Sequence, residues 1–143
     1  MKTMRAVWRE EYCAPEKAGC KNVDIPLPGP GEVLVRVMAT TVNRTDCAVM
    51  TGKPFIMRFF TGLMKPTSPI PGTDFAGEVV AVGDKVSLFK KGQRVFGFND
   101  QGLASQAEYV AVSETQAIAE IPQNVSYSQA AASLEAAHYA FNF

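Results

Sequence analysis

The chain has 143 residues with a hydrophobic share of 47%, enough for one domain with its own core and too few for two. Its 14 Lys and Arg balance 14 Asp and Glu, and that zero net charge argues against a nucleic-acid or membrane-surface partner, which needs concentrated basic charge. No run reaches the ~20 apolar residues of a membrane span, and MKTMRAVWREEY carries charges where a signal peptide needs its apolar segment, so a cytoplasmic protein is expected.

Residues 4–9 (MRAVWR) are apolar and β-compatible, and the prolines of IPLPGPGE, which fix φ and donate no ladder bond, make that stretch a turn. Residues 32–42 are the clearest strand: Val33, Val35 and Val37 alternate with Leu34, Arg36 and Met38, leaving one face apolar. A short helix is predicted over 43–51, capped by Asn43 or Thr45 and stopped by Gly52. Between Pro54 and Pro66, Ile56, Phe59, Phe60 and Leu63 recur at helical spacing, as a lid or loop insertion over 55–64. Residues 73–82 read as a strand containing Ala76 and Gly77, and a glycine inside a strand marks a bulge or a barrel bend. Turns at Gly83-Asp84 and Lys91-Gly92 bracket an edge segment at 86–89, and residues 94–98, 106–112 and 116–121 are further strands.

Short strands at regular intervals with glycine punctuation make the fold mainly β, a closed or partly open antiparallel barrel. The pattern then changes. Ser126 and Gln129 stand as a capping box before an alanine-rich helix with Ala130, Leu134, His138 and Phe141 on one face. That helix reaches Phe143 without a C-cap, so a longer native chain is expected. Cys13, Cys20 and Cys47 form no CxxC and have no histidine cluster beside them, which points to free thiols.

VLVRVMATTVNRTD, PIPGTDFAGEVVAVGDKVSLFKKGQRVFG, AEYVAV and AAASLEAAHYAF occur in the order and at the spacing of the medium-chain dehydrogenase/reductase superfamily. Over nearly its whole length the chain resembles the N-terminal GroES-like, alcohol dehydrogenase-like domain of a zinc-independent, quinone-oxidoreductase-like member. The resemblance implies a mainly β, GroES-like catalytic domain over 1–125, a partly open antiparallel barrel with short helices. It implies that 126–143 begin a linker helix to a Rossmann domain that binds NADP. No G-x-G-x-x-G phosphate loop occurs in the sequence, so most of the NADP site is expected outside it. A small-molecule substrate and a homodimeric full-length protein are implied as well.

Zinc-dependent members place a cysteine where Asn43 stands in Asn43-Arg44-Thr45-Asp46, and a His-Glu pair where Thr73-Asp74 follows Gly72. Their third ligand falls near Ala132 or Ser133. Catalytic zinc takes thiolate, imidazole or carboxylate, so the resemblance implies no zinc here. The implied chemistry is then hydride transfer from NAD(P)H to a quinone or an α,β-unsaturated carbonyl, whose conjugated system spreads the incoming charge. A simple alcohol or aldehyde misses the metal far more.

Each candidate residue has a plainer role beside the functional one. Asn43 matches the family asparagine near the nicotinamide, a catalytic and cofactor-binding position, and is also a good N-cap. Arg44 stands where relatives reach the cofactor phosphates, or is simply solvated. Thr45 corresponds to the proton-relay hydroxyl of zinc-dependent members, or serves the helix start. His138, the single histidine, suits proton transfer if it faces the cleft, where Glu135 three residues before it is a partner; otherwise it packs. Phe55, Phe59 and Thr73 are assigned to a substrate pocket, with Phe60 and Met64 beside them; the alternative for the aromatic group is a packed insertion. Asp46 and Asp74 orient neighbours rather than react. Two rival functions stay open: a zinc-dependent alcohol dehydrogenase domain, decided by metal analysis, and a free-standing GroES-like binding or assembly module, decided by ring formation.

Overall fold

The alternation at Val33, Val35 and Val37 turns one face of a central strand into the core, and the other strands are arranged around that face. The computed structural model describes residues 2–99 and 103–142. Strands β1 (Thr3–Trp8) and β2 (Gly19–Asp24) pair antiparallel, from Thr3↔Asp24 to Trp8↔Gly19. Strands β3 (Glu32–Ala39), β4 (Asp74–Val82), β5 (Arg94–Phe98), β6 (Tyr109–Ser113) and β7 (Ile118–Glu120) form a five-stranded antiparallel sheet in the order β6-β3-β4-β5-β7. The two-stranded ribbon joins the segment leading into β6 through an Ala6↔Ala107 bridge and a 2.9 Å bond from the Val7 N–H to the Gln106 carbonyl. The sheets do not close on each other, so the fold is mainly β and partly open. Among the described residues three α-helices accompany them, α1 (Arg44–Thr51), α2 (Met57–Thr61) and α3 (Tyr127–Asn142), with one 3-10 turn at Pro15–Lys17. No helix among the described residues is long and apolar enough to cross a membrane.

Strand β4 is hydrogen-bonded on both edges, and at its start both faces are buried. Phe75 and Val79 point into the main core with Val33, Val35, Val95, Val110 and Val112. Burying one such side chain stabilises the fold by about 1.5–3 kcal/mol. Ala76, on the opposite face, meets Ala130 and Ala131 of α3 together with Ile121. Small side chains on both partners let the helix lie close to the sheet. Gly77 answers a different need: a Cβ there would collide with the Arg36 carbonyl oxygen. The β3–β4 register shifts next to it, between Val37 and Ala39, as expected of a glycine at a bulge.

Caps fix the helix ends where the sequence places them. Asn43 and Asp46 form a reciprocal capping box on α1, and Gly52 ends that helix with φ 61°, the left-handed conformation that costs glycine least. Ser126 and Gln129 exchange the same pair of bonds before α3, at 3.2 and 2.9 Å.

Elsewhere the structure departs from the pattern. Residues 86–89 are not a strand; the Ser87 and Leu88 N–H groups donate to Glu114 Oε2 at 2.9 and 2.8 Å, so a side chain replaces the ladder. Helical spacing over 55–64 yields only the five residues of α2, and Phe55, Ile56, Phe59, Phe60, Leu63 and Met64 are all more than half exposed. Phe141 is 90% exposed, because the start of α3, where Ala130 and Ala131 are buried, is the part that meets the sheet. Strand β2 (GCKNVD) has no apolar alternation that would announce it.

Phe75 is wholly buried in a cluster with Val33, Val35, Val79, Val95, Val110 and Val112, with Gly97 against its ring. Phe75→Ala is therefore expected to cost about 3–5 kcal/mol, read as a lower urea midpoint at unchanged slope.

Candidate functional site

Strand β3 ends at Ala39, and the chain then runs through Thr40 and Thr41 to the cap of α1, directly beside the start of β4. Asp74, the first residue of β4, is fully buried and holds this junction together. Its Oδ1 accepts from the Thr41 N–H at 2.8 Å; its Oδ2 accepts from the Thr41 hydroxyl at 2.5 Å and from Asn43 Nδ2 at 3.2 Å. The Thr40 hydroxyl donates to the Asp74 carbonyl at 2.8 Å. A buried carboxylate this well supplied with donors avoids the cost of an uncompensated charge.

Asn43 links that junction to a second buried carboxylate. Its Nδ2 also donates to Thr73 Oγ1 at 2.9 Å, and its Oδ1 accepts from the Asp46 N–H at 2.8 Å. Asp46 Oδ2 accepts from the Asn43 N–H at 3.1 Å, and its Oδ1 accepts from the Thr73 hydroxyl at 3.2 Å. Asp46 is only 2% exposed, and burial pushes its carboxyl up from 3.8 to about 6. The Asn43 and Thr73 hydrogen bonds oppose that rise, while the charges of Asp74 and Glu135 add to it.

Above this buried floor lies a cleft of about 670 Å³, lined by Thr41, Asn43 and Arg44 on one side and by Ala131, Ala132, Glu135 and Ala136 of α3 on the other. The Thr45 hydroxyl spans the two sides, donating to Glu135 Oε1 at 2.6 Å.

The structure brings Asn43, Arg44, Thr45, Asp46, Thr73 and Asp74 together. Asn43 serves both as the helix cap and as part of the cleft wall, so its two candidate roles coincide in one side chain. Arg44 is exposed at the cleft, and Asp46 and Asp74 lie beneath it as orienting groups. Thr73 is wholly buried under Asn43 and is not part of the cleft wall. Phe55 and Phe59 stand edge to face, 6.0 Å apart, at α2, and they do not line the cleft either. His138 belongs to α3, but its side chain lies outside the described residues. Glu135 takes its hydrogen bond from Thr45, a contact that sequence reasoning missed. The signal for it is that Ala131, Ala132, Glu135 and Ala136 share one helical face and Glu135 is the acidic residue of α3.

Where zinc-dependent relatives of the fold supply thiolate and imidazole, this chain supplies an amide and a hydroxyl already bonded to each other. The residues present do not fit a zinc ion, and no group of three His, Cys, Asp or Glu among the described residues is placed to hold a metal. They do fit a flat ring with a charged tail: an alanine wall faces polar groups, and a guanidinium stands at the cleft.

An antiparallel fold with this junction defines a class. Residues 29–123 match the alcohol dehydrogenase GroES-like domain family. The chain is 37% identical over 127 residues to a chloroplastic quinone oxidoreductase of Triphysaria versicolor, a match that spans 85% of this chain and 36% of that protein. It is 35% identical over 133 residues to the quinone oxidoreductase of Homo sapiens, covering 92% of this chain and 37% of that one. In three dimensions it is similar to the quinone oxidoreductase from Coxiella burnetii, with a TM-score of 0.80 at 25% identity, over 98% of this chain and 46% of that chain. The chain belongs to the alcohol dehydrogenase GroES-like family, as a quinone-oxidoreductase-like member of the medium-chain dehydrogenase/reductase superfamily, and spans a little over a third of the length of these curated relatives.

The buried Asp46 carboxyl makes stability depend on pH with a definite sign. Its folded value is raised, so the protonated form favours folding, and stability falls as pH rises from 3.8 to about 6. The loss amounts to about 3 kcal/mol. Asp46→Asn is expected to flatten thermal-melt stability across that window; a slope equal to that of the wild type would place the penalty elsewhere.

Proposed function

We propose that this domain is the catalytic side of a nicotinamide-dependent oxidoreductase that reduces quinones or α,β-unsaturated carbonyls without zinc. In this reading residues 1–125 carry the substrate side of the cleft, and the segment from 126 leads toward a domain that holds most of NADPH. The full-length protein would be a cytoplasmic homodimer. The observation that supports it best is the Asn43–Thr73 hydrogen bond, which fills the position of a Lewis acid with two neutral groups that satisfy each other.

Reduced nicotinamide, when bound, supplies hydride. The residues here bind and orient around that event. Arg44 offers a planar, permanently charged donor for a phosphate. Ala131, Ala132 and Ala136 give an apolar wall that excludes water from the face of a ring. Asn43 is immobilised by its bonds to Thr73, Asp74 and Asp46, so the cleft wall keeps its shape without reorganising. A conjugated acceptor suits such a site because it delocalises the new charge itself.

The test is steady-state turnover of the full-length protein with NADPH and NADH against a naphthoquinone, a simple enone and primary alcohols, with and without a zinc chelator. Quinone- or enone-dependent oxidation of the nicotinamide, unaffected by chelator, is expected, with alcohol oxidation at least ~100-fold slower. Chelator-sensitive alcohol oxidation, with about one zinc per chain, would overturn the reading. A second measurement addresses Arg44: Arg44→Ala should raise KM for the nicotinamide by roughly tenfold, as expected for loss of one charged contact, and leave kcat within threefold.

A further inference from the structure

The cleft contains a carboxyl group that the hydride chemistry leaves without a task. Of the seven residues that line it, Glu135 is the one that carries a carboxyl group. The Thr41 and Asn43 side chains have their hydrogens turned inward. The Thr41 hydroxyl donates to Asp74, and Asn43 Nδ2 donates to Thr73 and Asp74. The Thr45 hydroxyl donates to Glu135 itself. Among the described side chains that line the cleft, Glu135 is therefore the carboxyl that a reduced quinone or enolate would meet.

We propose that Glu135 gives the proton that completes reduction of the substrate, positioned for it by Thr45. The proposal rests on the reductase reading above. Thr45 occupies Oε1 at 2.6 Å, which leaves Oε2 as the oxygen that holds and delivers the proton. The step balances with reduced nicotinamide as the reductant. Hydride adds to the conjugated acceptor, and the electron pair displaced from the π system comes to rest on the substrate oxygen. The O–H bond of the Glu135 carboxyl breaks as an O–H bond forms on that oxygen. The resulting carboxylate is half-buried, so water reaches it and returns the proton.

Asp46 of α1 lies within electrostatic reach of Glu135 and of Asp74 at the start of β4, so three carboxyl groups share one neighbourhood. Arg44 is the cation lining the same cleft, and on α3 itself the other titratable residues are Tyr127, His138 and Tyr139.

The experiment is the pH dependence of kcat for the full-length protein and its Glu135→Gln, Glu135→Asp, Thr45→Val and His138→Ala variants, with a naphthoquinone and NADPH. The wild type should lose kcat at high pH through one ionisation. Glu135→Gln should lower kcat by about 10²-fold or more with KM within threefold, and abolish that limb. Glu135→Asp should keep the limb at reduced rate, which separates lost chemistry from lost folding. Thr45→Val should lower kcat and keep the limb. In the cofactor-free protein, side-chain carbon NMR of Glu135 should titrate along the same curve. An unchanged profile in Glu135→Gln, or a limb that disappears in His138→Ala instead, would refute the proposal while leaving the reductase reading intact. Absence of any nicotinamide-dependent reduction would sink the reading of function, and this step with it.

Discussion

Everything about this site depends on the carboxyl group of Asp74 being buried and supplied with donors. A carboxylate removed from water is costly unless donors surround it, and the chain supplies them from one short stretch, Thr40 to Asn43. Satisfying Asp74 fixes the path by which β3 leaves the sheet. That path holds Asn43 in extended backbone at φ −123° and ψ 179°, the geometry of an N-cap, so α1 begins at Arg44. The position of Arg44 and Thr45 beside α3 follows from there. One electrostatic requirement thus sets loop, cap and cleft together. It also explains the small residues of β4 next to it: Ala76 lets α3 approach, and α3 brings Glu135 to Thr45.

Much of the fold was legible because local physics determined it. The alternation of β3, the limits of β5, the Asn43 cap, the Ser126–Gln129 capping box and the Gly52 stop each follow from a few adjacent residues acting on their own backbone. What was not legible depended on a distant partner. Residues 86–89 have the composition of a strand, but Glu114 reached their N–H groups and no neighbouring strand did. Strand β2 exists because β1 pairs with it, not because GCKNVD prefers extended structure. The helical spacing of 55–64 is real, yet spacing alone does not say that anything lies opposite. In the site, the Asn-Arg-Thr-Asp and Gly-Thr-Asp motifs told which residues would meet. They could not tell that Thr73 would lie inside, bonded to both Asn43 and Asp46. Glu135 was read toward His138, three residues along the same helix; it bonds Thr45, ninety positions earlier, because packing of α3 on β4 decides that contact.

The charge of the site argues for its chemistry more strongly than its shape does. Zinc-dependent members of the superfamily would place a dication at this junction; here the junction holds Asp46 and Asp74, with Glu135 above them. A negative floor opposes the accumulation of negative charge on a bound substrate, so the site is poorly suited to holding an alkoxide. Two ways around that opposition exist. The substrate can disperse the charge through conjugation, or a proton can neutralise it as it forms. Clustered carboxyl groups serve the second route, since each one's charge raises the affinity of the others for protons. Burial does most to lift the Asp46 carboxyl, and the charges of Asp74 and Glu135 add to that rise.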